Sequence, residues 1–426
     1  MASGRNRYWF KLDNAGKIYP AVRSPNYASL FRATARLKEP VDPQTLQQAL
    51  LDVMPRFPIF QCRIRSGVFW YYMETNPRTP RVHPDVTFPC QPMRFEENED
   101  FMFRVLYYGS SIHLEVFHAL SDGSGGLVFL KTLVAQYLRL KGHPIPASHG
   151  VLDLAEKPDM EEMEDAYRRY ANFRVIRSRA EQRAYHLRMK KLPTFMLAVT
   201  EGVIPLQAML QKARSYHASM TELMAAVLLD VILDLHRCDP FARRGEAVKV
   251  SVPVNMRNYF PTRSLRNFSL YVNVGVDPQY GEYTFEEILS QVHHYMRYQL
   301  NGKFLNAQMC GNVASERNPV LRCMPLFIKN AALNAAYRLS GERYFTTTIT
   351  NLGAIDAPPE MKPLVETIFV TLGPAKINPI QCAVSSYGDS LRIIFSSTAS
   401  STALERGFFR RLVTWGIPVS VISNKE

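Results

Sequence analysis

The segment Ile112-His-Leu-Glu-Val-Phe-His118-Ala-Leu-Ser-Asp122-Gly123-Ser-Gly-Gly126 brings together residue types that can do chemistry. A strand-like run delivers His118 to its carboxyl end. A glycine-containing turn then leads into an amphipathic helix over Leu127 to Lys141. Ligand sites in α/β architectures often lie beyond strand carboxyl ends, and glycines let a substrate approach the backbone closely. A histidine so placed is a candidate general base. With ten His and 21 Gly in the chain, a His-x-x-x-Asp-Gly arises by chance in roughly 0.02 chains of this composition. The spacing is specific. Asp122 reads as an N-cap of the following helix. His113, five residues earlier on the same strand, should face the opposite side from His118.

Other catalytic signatures are absent: there is no GxxxxGK[S/T], no GxGxxG after a strand, no HExxH and no GxSxG. The histidines and cysteines show no metal-ligand spacing, and His293 and His294, adjacent on a helix, point about 100° apart. Cys62, Cys90, Cys238, Cys310, Cys323 and Cys382 are scattered with no CxxC pair, which predicts reduced, mostly buried thiols.

The elements that must position the motif follow from local patterning. Asp42 caps a helix over Pro43 to Met54, and strand-like runs follow at Phe60–Arg65, Val68–Met73, Phe101–Tyr108 and Ile112–Phe117. The aromatic run 68–73 reads as strand and core. Five acids in 159–165 and seven Lys or Arg against one Glu in 174–191 predict a solvated helical connector. The second half opens on the capping box Ser219-Met-Thr-Glu222, leading into an apolar helix over Leu223 to His236. Strands are predicted at 248–254, 269–276, 344–350, 366–372 and 391–397, with helices at 285–300 and 403–415. The mixture argues for α/β or α+β, organised as a half over 1–165, a connector over 166–200 and a second half over 201–426.

At 426 residues the chain suits two or three domains, and 46% hydrophobic with 21% charged residues excludes a disordered protein. Fifty-one Lys plus Arg against 38 Asp plus Glu give a net charge of +13, which favours anionic partners. The basic excess is dispersed, and aromatics do not alternate with Lys or Arg in loops, so no nucleic-acid partner is expected. The amino terminus lacks a signal-peptide apolar core, and no run is long enough to be a transmembrane segment. A cytoplasmic, soluble protein is expected.

HALSDG resembles the HxxxDG motif of the acyltransferase superfamily that includes chloramphenicol acetyltransferase, peptide-synthetase condensation domains, plant BAHD enzymes and alcohol acetyltransferases. Ser251-Val-Pro-Val-Asn-Met-Arg257, Leu265-Arg-Asn-Phe-Ser269 and Thr350-Asn-Leu-Gly353 resemble stretches of bacterial alcohol-acetyltransferase-like proteins. The resemblance spans most of the chain. It implies two chloramphenicol-acetyltransferase-like halves, each a mixed sheet flanked by helices, with a channel between them. It also implies that His118 takes a proton from an alcohol or amine acceptor attacking a thioester, with acyl-CoA or an acyl-carrier-protein thioester as co-substrate and no permanently bound cofactor. An acidic acyl carrier protein would suit the +13 charge.

In the superfamily the carboxylate matching Asp122 turns from the channel and pairs with an arginine, for which Arg257 is the candidate. Gly123 would permit a conformation or approach that a β-carbon blocks. Asn255 and Asn351 are candidate oxyanion or channel residues, though strand-end and turn roles suit them and Asn267 better. Phe117 replaces the first histidine of the double-histidine motif, which argues against a condensation-domain assignment. The alternative is a catalytically silent binding protein on the same scaffold, for which a plugged channel would be expected.

Overall fold

The computed structural model describes residues 8–24, 27, 29–173, 175, 181–243, 245–337 and 341–425. The described residues form three sheets flanked by helices. Numbering strands in chain order, the first lobe holds a five-stranded sheet in the order β12 (Val365–Leu372), β2 (Leu30–Leu37), β7 (Ser111–Phe117), β6 (Phe103–Tyr108), β5 (Val82–Pro84). The second lobe holds seven strands in the order β10 (Ser269–Val276), β9 (Val248–Asn255), β11 (Thr347–Ala354), β13 (Ile380–Tyr387), β14 (Ser390–Ser397), β8 (Ala198–Pro205), β15 (Ser420–Ser423). A small antiparallel sheet of β1 (Trp9–Lys11), β4 (Tyr71–Thr75) and β3 (Cys62–Ser66) packs on the core of the first lobe through Cys62 and Met73. Both large sheets are mixed: β5 runs parallel to β6, and β11 runs parallel to β9 and β13.

The first core forms where the 43–53 and 123–140 helices cover the five-stranded sheet. Asp42 caps the former, accepting from Thr45 N at 2.7 Å. In the second lobe the capping box at Ser219 and Glu222 closes as expected, starting the Met220–Arg237 helix. That helix is buried along most of its length against β9 and β10 and the helices at 285–299 and 403–414. The lobes interlock. β12 belongs to the second half in chain order yet pairs antiparallel with β2 of the first, and Phe369 on it meets Ala383 and Ile394 of the second-lobe sheet.

Some expectations are corrected. The run 68–73 is not one buried strand: Val68 and Phe69 are exposed in a turn closed by Gly67 N on Trp70 O at 2.9 Å, and the strand starts at Tyr71. The turn before β7 centres on Gly109, with φ of 55°, and Ser110. Beyond a short helix at Ala166–Tyr170, residues 181–197 contain no helix, and residues 174 and 176–180 lie outside those described. The segment is bonded to the second lobe, with Ala184 N on Arg343 O, Tyr185 N on Ala247 O and Leu192 N on Thr398 O. Backbone groups spent on a neighbouring lobe are not free to close helical turns. Cys62, Cys90, Cys310 and Cys382 are buried free thiols, while Cys238 and Cys323 are exposed.

Candidate active site

β7 ends at Phe117, and a tight turn carries His118 out of the sheet, with His118 N donating to Ser29 O at 2.9 Å and Leu120 N to Phe117 O at 2.8 Å. The helix then starts at Gly123, where Asp122 Oδ1 accepts from Gly125 N at 3.1 Å. Gly125 admits no side chain. A β-carbon there would lie 2.1 Å from Leu265 O, whereas at Gly123 it would meet only the end of Leu352 at 3.2 Å, and the Gly123 backbone is ordinary helix. The steric requirement expected of Gly123 therefore sits two residues later.

The second lobe grips this turn through residues 257–268. Arg257 Nη1 donates to Asp122 Oδ2 at 2.8 Å, and Phe268 N donates to the same oxygen at 2.9 Å. The guanidinium is held in turn by Ser264 O and Arg266 O, at 2.6–3.0 Å. Ser121 Oγ donates to Leu265 O at 2.6 Å, and Asn267 Nδ2 to His118 O at 2.8 Å. Beneath them Asp13 is fully buried, accepting from Gly16 N and Asn267 Nδ2 with Arg266 Nε 3.6 Å away. Burial pushes the Asp13 carboxyl up to about 6, with Arg266 opposing. Sequence reasoning missed Asp13, Ser121 and this use of Asn267. An Asp-x-x-Gly turn at 13–16 is the one local signal for any of them.

The His118 ring lies between Tyr19, stacked at 5.2 Å, and Phe31, tilted at 4.9 Å. Its Nδ1 is buried and makes no hydrogen bond of standard geometry. Burial among these rings lowers the imidazole's pKa below its ordinary value. The Asp122 charge, the Asn267 amide and the Ser121 backbone oppose without cancelling this. His113 faces away, bonding Thr34 Oγ1 at 2.9 Å near Asp85.

His118 lines a cavity of about 650 Å³ between the lobes, with Asp122, Gly123 and Ser124 on one side and Asn255, Tyr271 and Asn351 on the other. Asn255 Nδ2 donates to Ser124 Oγ at 3.2 Å while its oxygen accepts from Arg257 N. Asn351 Nδ2 donates to Thr221 Oγ1 at 2.9 Å while its oxygen accepts from Gly353 N. Each side-chain amide thus has one N–H engaged and one left over. A second cavity of about 520 Å³ adjoins, sharing Lys17, Trp70 and Glu316 with the first. Lys17 and Glu316 form an ion pair at that junction. Among the described residues no group of three or more His, Cys, Asp or Glu could hold a metal ion, and no helix is long and apolar enough to cross a membrane.

Two lobes, an exchanged strand and a histidine turn at the cleft can be compared with known folds. Polyketide synthase associated protein 5 from Mycobacterium tuberculosis superposes with a TM-score of 0.62, at 16% identity over 95% of this chain and 96% of that one. Trichothecene 15-O-acetyltransferase from Fusarium sporotrichioides gives 0.61, at 11% identity over 97% and 95%. This chain has the condensation-domain fold. The starter condensation domain of rhizomide synthetase, solved with C8-CoA, gives 0.58 at 14% identity over 96% and 94%. No known protein family and no curated protein sequence matches the chain. At the level of the fold, the structural relatives agree with the superfamily that the HxxxDG motif resembles.

Proposed function

We propose that the protein is an acyltransferase, moving an acyl group from a thioester, acyl-CoA or acyl-carrier protein, to an alcohol or amine, with His118 as the base. The observation that carries this is a half-buried, deprotonation-prone imidazole on an open cavity between two lobes of a condensation-domain fold. Acyl transfer by the trichothecene acetyltransferase and a C8-CoA complex of a condensation domain support a thioester donor here. With Nδ1 buried, Nε2 is the nitrogen left to meet the acceptor.

Nε2 takes the proton as the acceptor oxygen or nitrogen bonds to the thioester carbonyl carbon. The C–S bond then breaks, and the imidazolium returns the proton to the departing thiolate. No acyl-enzyme forms. The spare N–H of Asn255 or Asn351 would meet the oxyanion. Arg257 and Asp122 hold the turn rather than moving protons. The adjoining cavity gives the second substrate its own approach, and the +13 charge suits an anionic donor. An open cavity also weighs against a silent binder, for which the channel would be plugged.

The test is thiol release from a panel of acyl-CoAs with pooled alcohols and amines, then with acyl-loaded carrier protein. Acceptor-dependent release by wild type that falls by roughly 10²–10⁴-fold in His118→Ala supports the reading. Full turnover by His118→Ala, or no release with either donor type, overturns it.

A further inference from the structure

The Leu326–Ala336 helix is inside out. Its one charged residue, Lys329, is its most deeply buried at 2% exposure, donating to Phe69 O at 2.7 Å and lying 3.3 Å from the centre of the Trp70 ring. Asn330 Nδ2 likewise turns inward to Tyr71 Oη at 2.8 Å. Outward face Phe327 at 75% exposure, Ile328 at 44%, Ala331, Ala332 and Ala335. A helix on a water-facing surface normally shows the reverse arrangement. Phe327 and Ile328 also have apolar neighbours. Leu326 N donates to Val68 O, so the exposed Val68–Phe69 turn abuts the helix start, and exposed Val320 sits on the short helix just before it. Such a contiguous exposed apolar patch marks an interaction site.

We infer that this face docks on an anionic lipid bilayer surface. Exposed Arg322, on the short helix beside the patch, is in no ion pair among the described residues, whereas the charge of Arg65 is met by Glu74. The chain's +13 charge adds long-range attraction to acidic headgroups. Apolar side chains inserted at the headgroup boundary with a basic surround are what interfacial binding requires. The patch is too small for a second copy, because a stable interface uses roughly 20–30 residues a side. The same helix lines the His118 cavity through Leu333, and Phe69 and Arg322 line the adjoining one. Docking on this face therefore brings the bilayer beside a wall of each cavity. The docking itself is independent of the acyl-transfer reading.

The full chain is floated with vesicles of phosphatidylcholine alone and of phosphatidylcholine with phosphatidylglycerol. Wild type should float with the anionic vesicles. Phe327→Ser with Ile328→Ser should lower the bound fraction roughly tenfold without moving the melting temperature, and Arg322→Gln should weaken binding to the anionic vesicles and leave what remains less salt-sensitive. Phe241→Ser, at an equally exposed position away from the helix, should bind like wild type. No flotation of wild type, equal flotation on neutral vesicles, or undiminished binding by the double variant overturns the proposal. A wild-type dimer that the double variant converts to monomer would assign the face to a second copy instead.

Discussion

His118 sits between two rings with its Nδ1 sealed, and that setting decides its protonation. Burial disfavours the charged imidazolium, so the free base persists to a pH below the ordinary histidine value of about 6.5. The acidic limb of kcat/KM should accordingly fall below that value, and a limb at or above it would contradict the burial argument. Asp13 titrates in the opposite sense. Its folded-state value of about 6 lies above the unfolded value near 3.8, so the folded state holds a proton the unfolded state loses. Its stabilising contribution is fully present below about pH 3.8 and is lost as the pH rises through about 6. The stability of wild type relative to Asp13→Asn, read from urea unfolding, should therefore fall by up to about 3 kcal/mol between those pH values. A flat difference would show that Asp13 is not the proton-holding group. His118 and Asp122 were legible because six adjacent residues spell their spacing. Asp13 was not, because its partners Arg266 and Asn267 stand about 250 positions away and no local pattern joins them.

Among the elements, the contact between the 123–140 helix and residues 265–268 is the tightest constraint. Leu265 O passes so close to Gly125 that one methyl group cannot fit, and both sides are backbone. Gly125→Ala should therefore cost at least about 3 kcal/mol or prevent soluble expression, whereas Gly123→Ala should lower the melting temperature only slightly. Equal melting temperatures for the two would refute the distinction. The capped helices at 43–53 and 220–237 were readable because capping is local chemistry within four residues. β2 and β13 escaped notice for the opposite reason. In β2, Arg32 and Arg36 interrupt the apolar run, and Arg32 is buried only because Glu115 and Asp85 lie opposite. In β13 both faces are buried, so Ser385 and Ser386 fall where alternation offers no guide. The 181–197 segment misled because a run of charge predicts exposure but does not choose between helix and extended chain.

At the scale of the whole molecule the two lobes are not separable units. β12 completes the first sheet from the second half of the sequence, and Arg257 reaches back to the histidine turn. A chain ending at residue 200 lacks both and should show no cooperative melting transition, while the full chain should unfold in one calorimetric step. Two well-separated steps would contradict this dependence. The same exchange bears on how the protein is made. Residues 30–37 leave the ribosome more than three hundred residues before 365–372. For all that time of synthesis one side of β2 has unpaired amide and carbonyl groups, open to any extended neighbour. The nascent protein thus has a built-in delay during which chaperone cover, rather than its own fold, must keep it from aggregating.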